Sequence, residues 1–166
     1  MKAQDIVILL KIIALEARGW TMLELSRSLY LSQSEVSKAL ERLAFSGLID
    51  ESKKLPAKNT LYDVIINSIK YLFPVKPNRI LKGIATAHSA EPMSKKIVSD
   101  SKYVWPDVNG KIRGESIEPL YKNAPKAALE DKKLYEMLSI IDCLRVGKVR
   151  EQKIAMVELK KRFNIV

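Results

Sequence analysis

Residues Thr21 to Leu48, TMLELSRSLYLSQSEVSKALERLAFSGL, read as a helix, a tight turn, a second helix and a glycine stop. Thr21 supplies a capping hydroxyl for the first helix, and Glu24 stands three residues on, as a capping box requires. Leu25 and Leu29 lie one turn apart on one face, with Met22 nearby. Leu29-Tyr30-Leu31 makes the turn. Ser32 then caps the second helix, and Glu35 is again three residues later. Val36, Leu40 and Leu43 form the stripe to be buried, with small Ala39 beside them. Gly47 ends the helix, and Leu48-Ile49 starts an extended segment.

Two short capped helices at this spacing have the layout of a helix-turn-helix, whose second helix enters the DNA major groove. The side of that helix away from its apolar stripe carries Ser34, Ser37, Lys38 and Glu41, with Arg42 at the border and Gln33 in the first turn. Gln and Lys hydrogen-bond adenine and guanine edges, and Ser bonds bases or phosphates. Ser32, Gln33, Ser34, Ser37, Lys38 and Arg42 are therefore the candidate DNA contacts. Glu41 would face phosphates unfavourably unless it accepts from a cytosine amine or pairs with Lys38. Helical hairpins that touch no DNA share this pattern of caps and stripes.

The run LSRSLYLSQSEVSKALERLAFSGLID resembles the winged helix-turn-helix of MarR-type transcriptional regulators. Ser32, Val36, Ser37, Leu40, Arg42, Leu43, Gly47, Leu48 and Ile49 match the pattern of its third helix and following strand. The resemblance implies sequence-specific binding of double-stranded DNA, a repressor role and pairing of two copies through terminal helices. A full wing has two strands and a basic tip. Here Ser52-Lys53-Lys54 is the tip, so Lys53 and Lys54 join the candidate contacts, but Leu55-Pro56-Ala57 follows at once and the wing is expected to be abbreviated.

Outside this stretch, QDIVILLKIIALEAR (residues 4–18) reads as a helix stopped by Gly19. It is apolar almost all round, so it needs cover on a second side, from the C-terminal region or from another subunit. Residues 59–72 read as a further helix capped by Asn59 or Thr60, ended by Phe73-Pro74. A boundary is placed there: residues 1–73 form the winged helix-turn-helix unit and 74–166 a C-terminal α+β region.

In 79–125 the helical periodicity is lost. Asn109-Gly110 marks a tight turn, so Tyr103-Val104-Trp105 and Lys111-Ile112-Arg113 are expected to pair as a short hairpin, with 79–87 adding a strand. Residues 127–146 and 148–163 then read as a helical hairpin about Gly147. Val149, Met156 and Phe163 recur every seven residues in its second arm, a candidate dimer seam beside the apolar first helix. The expected fold is thus mainly α, a winged helix-turn-helix followed by a small α+β region that ends in a helical hairpin.

A full-length likeness to small MarR-like bacterial proteins rests on Lys70-Tyr71, Phe73-Pro74, Gly83, Thr86-Ala87, Val104-Trp105-Pro106, Gly110, Arg113-Gly114, Ser116-Ile117, Pro119-Leu120-Tyr121, Leu134-Tyr135, Asp142, Leu144-Arg145, Gly147 and Arg150-Glu151. Among these, Trp105, Arg113, Tyr121, Asp142, Arg145 and Arg150 either line a pocket or serve packing, with the aromatics in the core and the arginines paired to Asp142 and Glu151.

Composition narrows the function classes. The net charge of +10 favours a polyanionic partner, nucleic acid or an acidic protein. The charge is uneven: ten Lys/Arg stand against eight Asp/Glu in residues 1–73, and nineteen against eleven in 74–166. A second reading follows, an antitoxin-like component whose basic C-terminal region docks on the acidic product of a neighbouring gene while the protein represses its own operon. The one histidine, His88, and one cysteine, Cys143, provide no metal-ligand set, and a Cys143–His88 pair is disfavoured by the apolar setting of the cysteine. No phosphate-binding glycine loop is present. No cofactor and no enzyme activity are expected. The lone cysteine suits a reducing cytoplasm, and no apolar run reaches the roughly 20 residues of a membrane span.

Overall fold

The computed structural model describes all 166 residues. Seven helices and three strands follow in the order α1 (Ala3–Ala14), α2 (Met22–Leu29), α3 (Gln33–Phe45), α4 (Lys58–Leu72), β1 (Asn78–Ala85), β2 (Tyr103–Pro106), β3 (Ile112–Ser116), α5 (Ala124–Leu129), α6 (Lys132–Val146) and α7 (Val149–Phe163). Two 3-10 turns, Ala87–Ser89 and Met93–Lys95, lie between β1 and β2. The architecture is mixed α+β.

Helix α1 is the axis of the molecule. Ile6 through Leu10 are completely buried, and Ile12 and Ile13 nearly so. Burial of each such side chain contributes about 1.5–3 kcal/mol. One side packs on α3 and α2, and the other on α6. The second cover foreseen for this helix is therefore the C-terminal region of the same chain. Lys11 fastens the α1–α6 contact at 2.6 Å from Asp131, whose other carboxylate oxygen caps α6 by accepting from Leu134 N. One hydrophobic cluster of 35 buried residues runs from Ile6 to Phe163, so the boundary near residue 73 marks a change of local structure and not a break in the core.

The hairpin expected about Asn109-Gly110 does not form. Strands β2 and β3 run parallel, with Tyr103 opposite Glu115 and Val104 opposite Ser116, and both pair antiparallel with β1. The three close into a small barrel. The cause lies at two glycines. A Cβ on Gly110 would sit 2.3 Å from the Gly83 backbone, and one on Gly83 would sit 2.1 Å from the Trp105 carbonyl oxygen. The 107–110 turn thus tucks against β1 instead of reversing β2 onto β3. Asp107 shapes it, accepting from Asn109 N at 2.7 Å and Gly110 N at 3.0 Å while its own N–H donates to Lys82 O.

The barrel is fastened to α6. Buried Asp142 accepts from the Thr86 hydroxyl at 2.8 Å, Trp105 Nε1 at 2.7 Å and Arg145 Nη1 at 2.8 Å. Burial pushes its carboxyl pKa up, against the pull of Arg145 and the other donors. Arg145 also donates to the Phe73 and Glu118 carbonyls, and the Tyr135 hydroxyl donates to Ala85 O. Trp105, Asp142 and Arg145 are thus packing and pairing residues. Arg113 and Arg150 are exposed and unpaired, so the pairing of Arg150 with Glu151 is not made.

Three smaller expectations also change. Helix α1 stops at Ala14, well before Gly19, where Leu15 caps it and Glu16 turns into the left-handed region at φ 56°. Helix α4 begins at Lys58 after Ala57, so neither Asn59 nor Thr60 caps it. The heptad Val149, Met156, Phe163 does not make a uniform exposed seam: Phe163 is buried with Ala155 and Leu159, whereas Val149 is 70% exposed.

Candidate nucleic-acid interface

The helix-turn-helix forms as its capping residues dictate. The Thr21 hydroxyl accepts from Glu24 N at 3.1 Å, and Glu24 accepts from Thr21 N at 2.9 Å. Ser32 and Glu35 repeat the arrangement at 3.1 and 2.8 Å. The Glu35 pKa is held below its ordinary range first by the Ser32 N–H, then by the Ser32 hydroxyl, with Lys2 adding its charge nearby. The capping box uses the Ser32 and Glu35 N–H groups, and those of Gln33 and Ser34 are left to meet a phosphate at this end of α3.

Val36, Ala39, Leu40 and Leu43 are buried, so the orientation of α3 is set. Gln33, Ser34, Lys38 and Glu41 are exposed, and Ser37 is half-buried. Ser34, Ser37, Lys38 and Glu41 share one face at helical spacing. The side chains of Gln33, Ser34, Ser37 and Lys38 bond to nothing else in the chain, so they are free to meet a ligand. Gly47, at φ 73°, ends the helix in a conformation that β-carbons disfavour.

Three of the sequence candidates have other employment. Ser32 is exposed, but its hydroxyl is the α3 cap. Arg42 does not face outward as a free cation: Nη2 and Nε lie 2.6 and 3.0 Å from the carboxylate of Asp5, which is completely buried. Arg42 therefore holds α3 to the start of α1. Lys54 sits 3.7 Å over the Trp20 ring and donates to the Trp20 carbonyl, so part of its charge is committed to the protein.

The region after α3 is a single bridge between Ile49 and Pro56 around a turn, not a two-stranded wing. Asp50 accepts from Lys54 N and Leu55 N at 2.8 Å each, which folds the turn back on itself. Lys53 stands at its tip in the left-handed region at φ 60°, without an ion-pair partner.

Scans of family models, curated proteins and solved structures found no match to this chain.

Two features beside α3 escaped the sequence reading. Arg27, near the end of α2, is exposed with no ion pair. Its unpaired position on a polar face was the available signal. The second feature is a clamp on the turn. Tyr121 OH donates to Leu29 O at 2.5 Å, Asn123 Nδ2 donates to Tyr30 O at 3.2 Å, and Lys126 lies 4.1 Å over the Tyr30 ring. Glu130 accepts from the Tyr30 hydroxyl. Tyr30 itself is left-handed at φ 54°, so these contacts hold a bend that its own side chain resists. No local pattern links residues about 90 positions apart.

No group of three or more His, Cys, Asp or Glu side chains is placed to hold a metal ion. Burial pushes the Cys143 thiol up to about 12, so it is protonated at neutral pH and a poor nucleophile. No helix is long and apolar enough to cross a membrane.

Proposed function

We propose that this protein is a sequence-specific, double-stranded DNA-binding transcriptional regulator, a repressor of the MarR-like kind, with α3 in the major groove. The observation that supports the reading best is a doubly capped helix whose apolar side is buried and whose outer residues, Gln33, Ser34, Ser37 and Lys38, have no partner in the chain. Lys53 and Arg27 supply flanking phosphate contacts. The DNA upstream of the protein's own gene is the first probe, in a gel shift at low salt. Lys38→Ala should weaken binding and reduce the salt slope by about 1 if Lys38 meets a phosphate. A wild-type protein that shifts neither this DNA nor random duplex argues against the reading.

In this proposal the protein acts as a homodimer, because paired half-sites give specific regulators their affinity. The seam does not use α1, which is covered within the chain.

A second reading, an antitoxin-like component that binds a neighbouring gene product, draws on the flank of α7. Lys148, Arg150 and Lys153 are exposed without ion pairs beside exposed Val157 and Val98. Two adjoining grooves of about 460 and 420 Å³ share Lys96 and Ile154 in their lining. Removing residues 127–166 would strip the cover from α1, so charge reversal is the better test. Loss of co-purification with the neighbouring product in Arg150→Glu/Lys153→Glu, with DNA binding intact, favours this reading.

A further inference from the structure

The barrel carries a pair of uncompensated charges outside the helix-turn-helix. Lys82 of β1 and Arg113 of β3 are direct cross-strand partners in the antiparallel register. Both are exposed. Side chains in such a pair stand about 5 Å apart at Cβ, and like charges there destabilise the sheet. The next pair along the same face is Ile80 with Glu115. Ile80 is 59% exposed, and Glu115 forms no ion pair with either cation. Arg79 in β1, Lys76 just before it, and Lys102 and Lys111 just before β2 and β3 are also exposed and form no ion pair, with Lys102 on the Gly114 side of the sheet, away from Arg113. Elsewhere in the C-terminal region cations are partly absorbed: Lys96, Lys161 and Arg162 surround Glu158, and Arg145 is held by Asp142.

Lys82 and Arg113, directly opposite one another and ion-paired to no acid of the chain, repel one another and favour an anion from outside. The side chains are long, flexible or forked donors, which suits phosphate oxygens.

We propose that this face of the barrel is a second phosphate-binding surface, which grips the backbone of double-stranded DNA independently of sequence. The inference rests on the DNA-binding reading for the identity of its polyanion, and it assigns the excess charge of residues 74–166 a role separate from α3. The helix reads bases, and the barrel adds electrostatic affinity.

The test measures binding by fluorescence anisotropy between about 50 and 200 mM salt, on a short random-sequence duplex and on the upstream DNA. Wild type is compared with Lys82→Ala/Arg113→Ala, with the charge-keeping Lys82→Arg/Arg113→Lys, and with Gln33→Ala/Lys38→Ala. Loss of two phosphate contacts lowers the salt slope by about 1.8 on both duplexes. The charge-keeping variant retains the wild-type slope. Because both residues are exposed and like-charged, thermal unfolding of the alanine variant matches or exceeds wild type, which separates a binding defect from a folding one.

A barrel variant that keeps the wild-type slope and affinity overturns the proposal and leaves the surface to an acidic protein. If wild type binds both duplexes equally but the barrel variant still loses its slope, the barrel proposal stands and sequence-specific recognition by α3 falls. If wild type binds no duplex even at the lowest salt, both fall.

Discussion

The hydroxyl of Tyr121 donates a 2.5 Å hydrogen bond to the carbonyl of Leu29, the last residue of the helix that opens the helix-turn-helix. A residue from the C-terminal half thereby satisfies a helix-end acceptor in the N-terminal half, and Asn123 does the same for the neighbouring Tyr30 carbonyl. Tyr121 is largely buried around this contact, and burial raises the pKa of its phenol. The turn that sets the angle between α2 and α3 is therefore held by tertiary contacts as well as by its own caps.

Tyr121→Phe removes one hydroxyl and leaves the Leu29 carbonyl without its donor. The expected loss is about 1–2 kcal/mol of stability. Chemical denaturation measures it. Gel-shift affinity should fall in parallel if the turn orients α3 for DNA, and an unchanged denaturation midpoint would show that water replaces the hydroxyl.

Arg42→Ala strands the buried Asp5 carboxylate, which keeps only the Lys2 N–H at 2.8 Å. Breaking a fully buried pair costs roughly 3–5 kcal/mol. The Arg42 side chain is 35% exposed, so solvent screens part of this and about 2–3 kcal/mol is expected. Thermal unfolding reads the loss. Because the guanidinium serves Asp5 and not phosphate, the salt slope of DNA binding in the folded variant should match wild type. A slope lowered by about 1 would return Arg42 to the DNA contacts.

Acid should loosen both helices of the motif. Glu24 and Glu35 have folded-state pKa values below the usual 4.5, each first through the N–H of its capping partner, Thr21 or Ser32. A carboxylate depressed on folding contributes stability that is complete above its unfolded value and disappears as pH falls through its folded value. Unfolding monitored from neutral pH downward should therefore show stability declining below about 4.5. Glu24→Gln/Glu35→Gln should flatten that decline while lowering stability at neutral pH. An identical pH profile in the double variant would remove the caps from the account.

Light scattering at micromolar concentration tests the dimer. A mass near 18.8 kDa identifies a monomer and removes the paired half-site model. Given a dimer, Met156→Glu reports on the flank of α7, where Met156 is half-buried and Phe163 is unavailable because it lies in the core. A charge forced into a buried seam costs several kcal/mol, so a dimer that survives this change uses another surface.

The helix-turn-helix was legible in the chain itself because its signals are local. Thr21 with Glu24, and Ser32 with Glu35, close capping boxes within four residues, and the stripe Val36, Leu40, Leu43 needs only helical periodicity to be recognised. The all-round apolar character of α1 likewise announced that it would be enclosed. What encloses it, α6, depends on a contact spanning most of the chain, and the Tyr121 clamp and the Asp5–Arg42 pair likewise join segments 92 and 37 positions apart. Arg42 had the right residue type and spacing for a DNA contact, yet a buried carboxylate 37 positions away claims it. The barrel shows the limit most clearly. Asn109-Gly110 has the local chemistry of a hairpin turn, but strand pairing is chosen by the close approach of Gly110 to Gly83, a contact between backbones that no local pattern encodes. Capping and periodicity are properties of neighbours along the chain. Strand partners, ion-pair partners and the side chains left free for a ligand are decided only when distant segments compete for the same space.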